Sequence, residues 1–93
     1  MAAIGLDTRV SPARNVVTRD LGDGLIVMEV GSGLCWELNR TGVAMWKNLS
    51  EGKSVRETAT VLAGDFPVSA ERLEVDTLAL VRDLLAAGLL ALA

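Results

Sequence analysis

Between Leu34 and Gly42 the sequence changes its period without a break. Leu34, Trp36 and Leu38 alternate with Cys35 and Glu37, the two-residue repeat of a strand with one buried face, whereas Val43, Trp46 and Leu49 recur at helical spacing. The change falls at Asn39, whose side-chain oxygen can accept from the amide of Thr41 or Gly42 and so act as an N-cap. A strand joined rigidly to a helix is expected here, and the rest of the chain must be arranged around that joint.

At 93 residues the chain has room for one modest core. Residues 1–9 lack periodicity and are expected as a flexible N-terminal arm, with residues 10–93 forming a single domain. Pro12 favours extended chain at its start. Asn15 to Arg19 is rich in β-branched residues and reads as a first strand, closed by the turn signal Leu21-Gly22-Asp23-Gly24. Leu25 to Val30 is apolar at nearly every position, as expected of a central strand or one covered on both faces. Gly31-Ser32-Gly33 can make the tight turn that returns Leu34 to Leu38 antiparallel beside it, which leaves Leu34 to Leu38 at a sheet edge.

Three helices follow. The first spans about Arg40 to Leu49 and ends at Ser50-Glu51-Gly52; Ser54-Val55-Arg56-Glu57 then forms a capping box for a second, which buries Val55, Ala59 and Leu62. Ser69 caps the third and longest, to about Ala87, with Gly88 as terminator. Its apolar arc runs through Leu80, Leu73, Leu84, Val81, Leu85 and Leu78 and is wide enough to cover more than one surface. The expected fold class is α+β: a winged helix-turn-helix in which a three-stranded antiparallel sheet precedes three helices.

Much chemistry is excluded by what the chain lacks. There is one cysteine and no histidine, so an internal disulfide, a Cys-His nucleophile pair and a Cys/His zinc site cannot form. Cys35 sits mid-strand with no lysine near it in sequence and reads as structural. Asp76 and Asp83 lie among Arg72 and Arg82 on a solvated helix face, and the glycines fit hairpins rather than a phosphate loop. No catalytic residue, metal or cofactor is expected, and the chain reads as non-enzymatic. Met1 to Leu6 has no basic start and no apolar run of the length a signal peptide needs, and the apolar tail from Leu84 to Ala93 is too short to cross a bilayer, so cytoplasmic location without membrane association is expected.

A winged helix-turn-helix raises DNA binding as one reading. The net charge of −3 opposes it, and the third helix carries Glu71, Glu74, Asp76 and Asp83 against only Arg72 and Arg82, the wrong sign for phosphates. The other reading uses the edge. Leu34 to Leu38 bears one charge and no proline, so nothing blunts it against pairing with a guest strand. An extended peptide laid antiparallel along Leu34, Cys35, Trp36, Glu37 and Leu38 would gain about 1 kcal/mol net per main-chain bond. Four or five such bonds only offset the lower estimate of association cost, so apolar anchors are needed as well. A groove between this strand and the third helix could hold them, its helix wall made by Val75, Leu78, Ala79 and the stem of Arg82. Trp36 could wall that groove or lie in the core, depending on the face to which it points.

The segment Trp36-Glu37-Leu38-Asn39-Arg40-Thr41-Gly42, with Trp46 beyond it and Glu51-Gly52 before a serine-capped helix, resembles the PqqD-like family, over about Val10 to Leu90. That family comprises leader-recognition elements for ribosomally made, modified peptides. The resemblance implies a third strand that pairs with the leader peptide of a precursor, in the groove against the third helix. A free-standing chain of this size looks most like the discrete recognition proteins of lasso-peptide pathways. These present the precursor to a separate leader peptidase and an ATP-dependent cyclase. A PqqD-like partner of a radical enzyme is the alternative within the family; a DNA-binding regulator and a general edge-pairing adaptor are the alternatives outside it.

Overall fold

The computed structural model describes residues 4–93. It is an α+β fold with strands β1 (Val10–Pro12), β2 (Val16–Asp20), β3 (Leu25–Glu29) and β4 (Cys35–Leu38), helices α1 (Arg40–Ser50), α2 (Val55–Asp65) and α3 (Ala70–Ala86), and a last strand β5 (Leu90–Leu92). β2, β3 and β4 form an antiparallel sheet in that order, so β3 is central and β4 is an edge. The helices cover one face of this sheet. Val27, on that face, is fully buried, while Ile26 and Met28, which alternate to the other face, are half-buried. The apolar run of β3 thus reflects its central place rather than helices on both sides.

The strand-to-helix joint forms at Asn39, whose side chain accepts from the Gly42 amide at 2.9 Å. A side chain at Gly42 would meet Asn39 Oδ1 and Leu38 Cβ, each at 3.3 Å, so glycine lets the helix start this close to the strand. In the β3–β4 turn Gly33 takes φ 74°, the left-handed conformation the hairpin requires. α1 buries Met45, Trp46 and Leu49, α2 buries Val55, Ala59 and Leu62, and α3 buries Leu73, Val81 and Leu84; with Val27 and Leu38 they make one core.

The chain ends differ from expectation. Residues 1–3 of the expected arm lie outside the described residues, but from Ile4 onward the segment is bound to α2 rather than free. The first-turn amides of a helix have no partner within it; here Val55 donates to the Thr8 carbonyl at 3.1 Å, Arg56 to the Leu6 carbonyl at 2.8 Å and Glu57 to the Ser54 hydroxyl at 3.1 Å. Ile4 and Leu6 pack against the core. The apolar tail also has a partner: β5 pairs antiparallel with β1, Val10 opposite Leu92 and Pro12 opposite Leu90, which buries Val10, Leu89 and Leu90. Among the described residues no helix is long and apolar enough to cross a membrane.

The capping box at α2 is complete, with the Glu57 carboxylate accepting from the Ser54 amide at 2.8 Å and from the Arg9 guanidinium at 2.8 Å. These bonds, the Ser54 amide first, hold the Glu57 carboxyl below the usual glutamate range. Ser54→Ala is expected to cost about 1 kcal/mol, read as a fall in Tm of roughly 4–8 °C. A depressed folded-state pKa contributes stability above the unfolded value, and that contribution is lost as pH falls through the folded value. Glu57→Gln should therefore be destabilising at neutral pH and converge with the wild type in acid; a difference that stays constant from pH 7 down to pH 3 would contradict this assignment.

Candidate functional site

The β2–β3–β4 register settles where Trp36 points. Thr18 lies opposite Val27 and Val27 opposite Trp36, and directly opposed residues share a face, so Trp36 is on the helix side with the buried Val27. Because β4 is an edge, no further strand covers the ring; Trp36 packs on the core along one side and is half-buried. It is both core residue and groove wall.

Backbone polarity along β4 follows from one bond. The Glu29 amide donates to the Leu34 carbonyl at 3.0 Å, and in an antiparallel ladder inward-turned residues recur at every second position. Leu34, Trp36 and Leu38 therefore turn their main-chain groups to β3, and Cys35 and Glu37 turn theirs outward. Each of these two residues presents one free donor and one free acceptor to a guest strand. The hairpin carrying the edge is tied by Glu29, whose carboxylate accepts from the amides of Ser32 at 2.6 Å and Gly31 at 3.1 Å. The Ser32 hydroxyl and then these amides hold its carboxyl below the usual range.

Beside this edge, between β4, the start of α1 and α3, lies a groove of about 500 Å³. Leu38, Met45 and Leu73, all buried, form its floor; Trp36 and Leu80 flank it, and Asn39, Thr41 and Gly42 close one end with Val68 nearby. Glu37, Asp76, Ala79 and Asp83 line it as well. Asp76 accepts from Arg72 Nε at 3.2 Å, one turn earlier on α3.

Of the residues expected from sequence, the structure brings Trp36, Glu37, Leu38 and Ala79 together around this groove, but not Leu34, Cys35, Val75, Leu78 or Arg82. Cys35 is exposed and Leu34 is 43% exposed at the head of the strand; their part in a site would be through the main chain. Of the four expected helix residues, Ala79 lines the groove, whereas Val75, Leu78 and Arg82 lie away from it. The buried stripe of α3 runs through Leu73, Thr77, Val81 and Leu84, and at roughly 100° per residue Asp76, Leu80 and Asp83 fall on one side of it, while Leu78 falls on the other and Val75 and Arg82 at the back. Val75 is 63% exposed. Asp76, Leu80 and Asp83 could have been found only by knowing which side of the stripe meets β4.

This geometry has counterparts. The sequence model for the PqqD family, described as coenzyme PQQ synthesis protein D, matches residues 24–90. The chain belongs to the PqqD family. No curated protein matches it. Two solved structures share its fold. One is TbiB1 in complex with the TbiA(beta) leader peptide, at 24% identity and a TM-score of 0.79, covering 86% of this chain and 93% of that one. The other is a lasso peptide synthetase B1 complexed with the leader peptide, also at 24% identity, with a TM-score of 0.82 and coverage of 89% and 98%. The joint from β4 to α1 and the helices that wall the groove all lie within the matched residues of this PqqD-family chain.

Proposed function

We propose that the protein binds the leader segment of a ribosomally made precursor peptide by adding it as a strand to β4, and carries it to separate processing enzymes. The observation that carries this reading is the juxtaposition of the outward main-chain groups of Cys35 and Glu37 with an apolar-floored groove. The edge supplies hydrogen bonds and the groove supplies anchor sites, each worth about 1.5–3 kcal/mol when an apolar side chain is fully buried. The two leader-bound proteins that share the fold support the same reading, as does the family.

In this reading the protein is non-catalytic and cytoplasmic, without cofactor, nucleic acid or membrane partner, and it forms part of a lasso-peptide pathway. Its value to a leader peptidase and an ATP-dependent cyclase is effective concentration: holding the leader in place converts the encounter of enzyme and precursor into a local event. The test is titration with the leader of a short precursor encoded beside the gene, followed by backbone amide shifts and tryptophan fluorescence. Shifts should concentrate on β4 and on the Asp76–Asp83 side of α3, with a change in Trp36 emission. Shifts confined to α1 and α2, or tight binding of duplex DNA at low salt without response to the leader, would overturn the proposal.

A further inference from the structure

The groove has one sign of charge. The charged side chains on its helix wall are Asp76 and Asp83, Glu37 borders it from β4 with its side chain alternating to the opposite face from Trp36, and among the described residues no lysine or arginine lines it. Asp83 makes no ion pair among the described residues, and Asp76 is met only by Arg72, which is 71% exposed and lies outside the groove. The acids are also arranged. Asp76 and Asp83 are two turns apart on α3 and line the same groove as Trp36, Glu37 and Leu38 of β4, so both border the space beside a strand paired with Cys35 and Glu37.

A peptide paired there lies on an apolar floor that lowers the local dielectric, beside carboxylates of α3 that repel any acidic side chain and attract a basic one. We infer that the occupant of the groove is a peptide whose paired strand carries at least one lysine or arginine toward α3, and that Asp76 and Asp83 are the residues that select it. This rests on the strand-addition reading above and adds to it the chemical class of the guest. An acidic guest is disfavoured at the same positions, so the acids act as a filter as well as a contact. Pairs at such a rim are each worth up to about fivefold in affinity and weaken with salt, as the screening length falls from about 30 Å at 0.01 M to about 8 Å at 0.15 M.

The experiment is selection of a displayed library of random peptides about ten residues long on the immobilised full chain. Peptides selected by the wild type should be enriched in lysine and arginine over aspartate and glutamate. The bias should vanish on Asp76→Asn/Asp83→Asn and turn toward acidic peptides on Asp76→Lys/Asp83→Lys, two positions off the buried stripe of α3 where the substitutions spare the core. Selected peptides without charge bias whose binding is lost on Cys35→Pro/Glu37→Pro would overturn the inference and leave strand addition standing. Failure to select any peptide, or peptides indifferent to those prolines, would overturn strand addition and the inference with it.

Discussion

Proline at both Cys35 and Glu37 is expected to weaken leader binding roughly 30-fold while the chain stays folded. The amides of these residues point away from β3, so their removal leaves the β3–β4 ladder whole and deprives a guest strand of two donors. Each donor is worth about 1 kcal/mol net, or about a factor of five, and the pair multiplies to the stated loss. Trp36→Pro is the contrasting change: its amide turns inward, so the substitution should break the ladder and lower thermal stability. Calorimetric titration with the leader, beside thermal melts of each variant, distinguishes the two. Undiminished affinity in the Cys35→Pro/Glu37→Pro protein would show that the guest does not pair with β4.

Ala79→Trp is expected to have an effect of similar size by a different route. Ala79 lines the groove and is exposed, so an indole there fills the space an anchor would occupy without displacing the core. Loss of one fully buried apolar anchor corresponds to roughly 10- to 100-fold in affinity. Val75→Arg, at a 63% exposed position on the back of α3, should leave affinity within about twofold, since exposed substitutions away from a site have small effects. The pair decides which flank of α3 receives the guest. Equal losses at the two positions, or a loss at Val75 alone, would move the site off the Asp76–Asp83 side.

Much of the fold was legible because its signals are local. The alternation at Leu34 to Leu38, the cap at Asn39, the capping box at Ser54 and Glu57 and the cap at Ser69 each involve residues within a few positions of one another, and each is present in the structure. The β1–β5 pairing was not legible. It joins Val10–Pro12 to Leu90–Leu92 across nearly the whole chain, and three-residue segments carry too little alternation to announce a strand. The same holds for residues 4–9, whose place is set by unfilled amides at the start of α2 rather than by any pattern of their own.

By itself the sequence determined the three-stranded meander, its open edge at β4, the fixed joint to α1 and the acidic bias of α3, because period, turn chemistry and charge are properties of contiguous residues. Only the tertiary structure decided that Trp36 faces the helices and yet borders the groove, and that Asp76, Leu80 and Asp83 join the expected Ala79 in lining it while Val75, Leu78 and Arg82 do not. The physical reason is rotation. A helix wheel defines a stripe but not its neighbours, and the stripe of α3 is turned by its burial at Leu73, Thr77, Val81 and Leu84, which leaves one flank, with its two aspartates, lining the groove beside β4.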